Sequence, residues 1–118
     1  MRPRKKALSK KQMFEKLEVG KAMSQQVGSD SYGYWISEVN EKENYVGLYK
    51  PETKYTRCWQ DGNMTSEDFN PNINPDFYIT AYRGKWYKLD NKTLVRRYNS
   101  PERFYLSDKP INYRDPSF

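Results

Sequence analysis

The chain has 118 residues, of which 36% are hydrophobic and 31% charged, with a net charge of +6, no histidine and one cysteine. That length suits one domain with one modest core. With Cys58 alone, an intrachain disulfide, finger-type zinc sites and Ser-His or Cys-His nucleophile pairs are excluded.

A mean hydropathy of −1.14 points toward disorder. The 16% aromatic content opposes it, because large rings bury much area per residue. A folded body with loose ends is therefore expected. Neither a P-loop nor a dinucleotide-binding glycine pattern is present. No apolar segment follows the basic start, and no run reaches membrane-spanning length. The expectation is a soluble cytoplasmic protein, not associated with membranes, with no cofactor and no metal.

Charge is unevenly spread. Residues 1–23 carry a local +6, residues 24–82 a local −5, and residues 83–97 a local +5. An acidic middle thus separates two basic regions. Uniform basicity would be the plainer nucleic-acid signature. A bipolar chain also suits docking to a mixed-charge protein or head-to-tail assembly. The deciding question is whether the two basic regions share a face.

Residues 1–8 read as a basic arm. They form a solvated end, a phosphate-binding arm, a Pro3-Arg4-Lys5-Lys6 import patch that would place the protein in the nucleus, or a weak transit peptide. Ser9 and Gln12 make a capping box, so a helix is expected from Lys10. Met13, Phe14 and Leu17 form its apolar stripe, which Val19, Ala22 and Met23 extend past Gly20 if the helix survives that residue. Lys10, Lys11, Lys16 and Lys21 occupy its other face, in water or on phosphates.

Beyond Gly28 the period shortens. Strands are expected over Tyr34–Val39, Tyr45–Tyr49 and Lys54–Trp59, as a three-stranded meander. Gly47, in mid-strand, signals a bulge or a close backbone approach, with a neighbouring ring over the gap. Residues 61–76 read as a long connection that Phe69 and Ile73 pin to the body.

The segment from Phe77 to Tyr98 is the richest in β-favouring residues. A two-residue turn at Arg83-Gly84 sets Ala81 opposite Trp86, and a turn at Asp90–Thr93 sets Leu89 opposite Leu94. Phe77, Ile79, Ala81, Trp86 and Val95 then share the core face. Tyr78, Tyr82, Lys85, Tyr87, Leu89, Leu94, Arg96 and Tyr98 share the other. Ser100-Pro101-Glu102 reads as a helix start, and residues 107–118 as an extended tail.

The expected fold class is α+β. An N-terminal amphipathic helix packs on an antiparallel sheet, or a partly closed barrel, of about six strands, with an extended C-terminal tail. The expected organisation is a basic arm over 1–8, one compact domain over 9–106, and the tail.

Glu41/Glu43 and Glu67/Asp68 are close carboxylate pairs in polar loops, read as solvated loop charge. An enzyme is not expected. What remains is recognition by a sheet of rings and cations. Bases stack on rings while cations follow the backbone, which suits single-stranded more than duplex nucleic acid. The candidate residues are Tyr82, Lys85, Tyr87 and Arg96, flanked by Arg83, Lys88 and Arg97, with Lys10 and Lys11 on the helix. The same tyrosines also fit amphipathic spacers over a small sheet. They equally fit interface hot spots of a protein-binding module, a small inhibitor, or a viral, phage-like or ribonucleoprotein assembly subunit.

Overall fold

The computed structural model describes residues 8–55, 62–90, 95–96 and 102–114. Their elements are helix α1 (Lys10–Phe14) and strands β1 (Ala22–Val27), β2 (Asp30–Asn40), β3 (Tyr45–Tyr49), β4 (Thr53–Tyr55), β5 (Asn63–Ser66), β6 (Phe77–Tyr82), β7 (Lys85–Asp90), β8 (Val95–Arg96), β9 (Phe104–Ser107) and β10 (Asn112–Tyr113). Strand accounts for 53% of the structure.

This overturns the α+β expectation: the protein is an antiparallel β protein with one short helix. The capping box forms as anticipated, with the Gln12 amide donating to Ser9 Oγ and Ser9 N donating to Gln12 Oε1. The helix nevertheless lasts only five residues. Gly20 adopts a φ of +94°, a left-handed conformation that turns the chain away. Ala22 and Met23, read as a continued helical stripe, instead begin β1 between two neighbours. Pairing with β2 along the whole of β1, and with β9 along Ala22–Gln25, outweighs a helical stripe interrupted by glycine.

The strands close on themselves. β1 pairs β2, β2 pairs β3, β3 pairs β6, and β6 pairs β7, all antiparallel. An isolated bridge joins Trp86 to Glu102, just ahead of β9, and β9 returns to β1. Side chains facing into this ring make the main core. Met23, Ile36, Val46, Leu48, Ile79, Ala81 and Trp86 are buried there, and Phe14 and Leu17 from the helical segment pack against them. A second cluster on the outside joins Ala22, Trp35 and Tyr49 under Phe69.

β2 is long enough to serve several partners. One edge pairs β1, while the other pairs β10 near its start and β3 toward its end. A register shift between Ile36 and Glu38 marks a bulge opposite Gly47. The close approach expected at Gly47 is real, and the ring over it belongs to Pro75: a Cβ at Gly47 would lie 2.7 Å from Pro75 Cγ.

Several local expectations change. Thr53–Tyr55 pairs β5 rather than β3, so among the described residues the meander is made by β1, β2 and β3 and not by the three strands expected. The long connection contains β5. Phe69 does pin it, stacking on Tyr49 and meeting Trp35 edge-on, whereas Ile73 is 40% exposed. Ser100 and Pro101 lie outside the described residues, but Phe104 and Tyr105, expected to complete one helical turn from that start, open strand β9. Within the expected tail, Asn112–Tyr113 inserts as β10 between β2 and β5. Asn112 Oδ1 accepts from Gly33 N at 3.0 Å, and its Nδ2 donates to Ser66 Oγ at 2.7 Å. Phe118 lies outside the described residues.

Gly33 supplies a sharp test of this packing. A Cβ there would sit 2.4 Å from the Ile111 backbone nitrogen, which no rotamer change can relieve. Gly33→Ala should therefore cost about 1–3 kcal/mol in denaturant unfolding. Wild-type stability in that variant would mean the segment 110–113 is not held against β2.

Candidate nucleic-acid interface

The β6–β7 hairpin carries most of the candidate residues. Its turn is the anticipated one: Tyr82 pairs Lys85 and Ala81 pairs Trp86. Arg83 and Gly84 have φ values of +49° and +77°, the left-handed pair that a two-residue hairpin with the proper twist requires. Glycine adopts this conformation freely, but arginine does so at a cost of about 1 kcal/mol. The C-terminal register differs from expectation. Leu89 pairs Arg96 and Asp90 pairs Val95, while Leu94 lies outside the described residues.

Alternation then sorts the side chains. Tyr82 and Tyr87 stand diagonally on the outer face and meet edge-on with centroids 6.1 Å apart. The Arg83 guanidinium lies 5.2 Å from the Tyr82 ring centroid. Exposed Lys85 is directly across from Tyr82. The hairpin thus brings Tyr82, Arg83, Lys85 and Tyr87 together. Lys88 falls on the opposite face, 5.1 Å from the Phe77 ring. Arg96 is placed by its backbone pairing alone, and Arg97 lies outside the described residues.

The same outer face continues onto β3, where sequence reading had not looked. Tyr45 and Tyr78 meet edge-on at 5.3 Å, and the Tyr45 hydroxyl donates to Glu38 Oε1 at 2.7 Å. Between the two tyrosine pairs, Asn44 ties the sheet together. Its side chain accepts from Ala81 N at 3.0 Å and donates to Ala81 O at 2.9 Å, and its own carbonyl accepts from Thr80 Oγ1 at 2.7 Å. The spacing of alternate tyrosines within Tyr45–Tyr49 and Phe77–Tyr82 was the available signal.

The N-terminal helix meets this hairpin at one end of the ring. The Phe14 ring packs edge-on against Trp86 at 5.5 Å. Lys16, just beyond the helix, and Gly84, in the hairpin turn, line one groove. The described parts of the two basic regions therefore meet at Lys16 and Gly84. Lys10, Lys11 and Lys16 are exposed, and neither they nor Lys85 have an ion-pair partner among the described residues. The acidic residues are divided: Glu41 and Glu43 are exposed in the β2–β3 turn beside Asn44, next to the hairpin, while three others lie at the far end of the strand order. Exposed Glu52, Glu67 and Asp68 line an open cleft of about 480 Å³ on β4 and β5. Glu67 and Asp68 thus border a concavity while remaining exposed. Among the described residues no cluster of three potential metal ligands forms, and no helix is long and apolar enough to cross a membrane. No family model, no curated protein and no solved structure matches the chain.

Three tyrosines on this sheet titrate above their ordinary value of 10.0. For Tyr34 the main cause is burial, followed by the neighbouring Tyr32, Glu102 and Asp76. For Tyr45 it is the hydrogen bond to Glu38, and for Tyr78 burial followed by Glu38. The folded state thus prefers the neutral phenol. That contribution is complete below the ordinary value and is lost as pH rises through the raised ones. Unfolding free energy should begin to fall as pH nears the ordinary value of 10.0 and go on falling as pH rises through the raised ones. The fall should be smaller in Tyr34→Phe, measured by denaturant titration. An equal fall in both proteins would remove Tyr34 as a contributor.

Proposed function

We propose that this protein is a non-enzymatic, intracellular binder of single-stranded nucleic acid, using the outer face of the β6–β7 hairpin together with the basic segment around α1. The supporting observation is that the described parts of the two basic regions meet at one end of the ring, near Tyr82 and Tyr87, with a cleft lined by Glu52, Glu67 and Asp68 at the other extreme of the strand order. Rings that expose a π-face give bases a sequence-tolerant platform, and the cations beside them follow the phosphates. Tyr82 is 41% exposed, and Arg83, stacked on it, keeps its charge next to that platform.

The strained turn residue fits this role. Asparagine suits the left-handed position better than arginine. The arginine is retained at a conformational cost, which a binding contact would explain.

A second reading, a protein-binding module or assembly subunit, draws on the cleft of Glu52, Glu67 and Asp68, whose charge is opposite to that of the hairpin end. A stoichiometric protein partner recovered after nuclease treatment would favour it.

Fluorescence anisotropy with a labelled oligothymidylate separates the two. Affinity should fall linearly on a log–log salt plot, with a slope of roughly −0.7 per phosphate contacted. Tyr82→Ala and Tyr87→Ala should each cost roughly 1–3 kcal/mol of binding. Arg83→Asn should weaken binding while stabilising the fold by up to about 1 kcal/mol. Absence of oligonucleotide affinity at low salt would end the nucleic-acid reading.

A further inference from the structure

Five seams of the ring are ladders, but the sixth is a single bridge, Trp86 to Glu102. The register explains why. Antiparallel pairing at Trp86 and Glu102 brings the Arg83-Gly84 turn level with Phe104, so the hairpin ends while β9 runs on to Ser107. Past that point the outer edge of β9 has no ladder partner among the described residues. The helical segment lies over the gap, leaving a groove of about 270 Å³.

Leu8, Met13, Trp86 and Tyr105 line this groove, with exposed Lys16 and Gly84 beside them. Leu8 is 56% exposed and Tyr105 41%, so apolar and aromatic surface faces solvent where a ring could be sandwiched. Its volume is just below that of sites for drug-sized molecules, which suits one planar ring system. The surrounding charge is mainly cationic: Lys10, Lys11 and Lys16 outnumber Glu15 on the helical segment, and Arg83 and Lys85 flank Gly84. An apolar slot ringed by cations complements a base carried on a phosphate chain better than an uncharged peptide.

Gly84 belongs to both surfaces. It lines the groove, while Arg83 in the same turn stacks on Tyr82. We infer that the groove between α1, the Arg83-Gly84 turn and β9 is a nucleobase pocket. It receives the base next in line after those stacked on Tyr82 and Tyr87, between Tyr105 and the aliphatic side of Leu8 and Met13, with its phosphate at Lys16. This inference rests on the nucleic-acid reading and adds to it a site that grips one base.

The test uses the full chain and a dodecathymidylate carrying 5-iodouracil at one position at a time. Irradiation and peptide mapping should place adducts on Tyr105 or Met13 for one position, adjacent to positions that cross-link Tyr82 or Tyr87. Removing the base at that position, as an abasic site, should weaken binding about tenfold. Tyr105→Ala should do the same, and Lys16→Glu, an exposed change that spares the fold, should weaken binding of the intact and the abasic strand alike. The pocket is overturned, with the sheet-face reading intact, if Tyr82→Ala weakens binding but Tyr105→Ala and the abasic strand do not and no adduct forms in the groove. Failure of wild-type protein to bind the strand at low salt would overturn both.

Discussion

One backbone hydrogen bond decides the character of this fold. Glu102 N donates to Trp86 O at 2.9 Å. Through it, β7 and the segment leading into β9 meet, and a curled sheet becomes a ring. The Trp86 side chain, 7% exposed, fills that ring from within and carries Phe14 on its edge. One residue thus closes the backbone, fills the core and seats the helical segment. Closure matters because open edges are templates for unwanted pairing. It also gives small strands a two-sided environment, in which inward residues are dry and outward ones are free for recognition.

Charge is organised by the same closure. The helix docks where Trp86 lies, so Lys16, just beyond it, lines one groove with Gly84 of the adjoining turn. The chain's acidic middle passes through β2, β3 and β4, and its cleft opens on β4 and β5. Glu41 and Glu43, in the β2–β3 turn beside the hairpin, place acidic charge next to the basic end as well.

Where the fold was legible, short-range rules governed it. The capping box at Ser9 and Gln12, the bounds of Tyr45–Tyr49, the Arg83-Gly84 turn and the close approach at Gly47 are all decided within a few residues of chain. Where reading failed, partners distant in sequence decided the outcome. Ala22–Val27 contains two glutamines and a serine, and nothing in its pattern declares a strand. It is one because Met23 lies between Tyr34 and Leu106. The Ser-Pro-Glu signature ahead of Phe104 argued for a helix, but pairing with β1 prevailed. β5 and β10 are short and polar, too small to leave a period. At the site, Tyr82, Arg83, Lys85 and Tyr87 were legible because a hairpin turn fixes them. Lys16 was legible only as one of a helix's lysines and Tyr105 not at all, since the two share a groove only through closure.

The pairing of Ala22 with Ser107 has a consequence for how the chain is made. Strands separated by most of the polypeptide must find one another before the ring exists, and such non-local contacts slow folding. During synthesis β1 and β2 emerge early and form a hairpin. The outer edge of β1 then waits for β9, and Gly33 waits for Asn112, until residues 104–112 have been translated. At about 5–20 residues per second, that is an interval of seconds in which a strand edge and half a core stand open. The polar glutamines of β1, unhelpful for recognising it as a strand, suit that interval. They keep the waiting edge hydrated until its partner arrives.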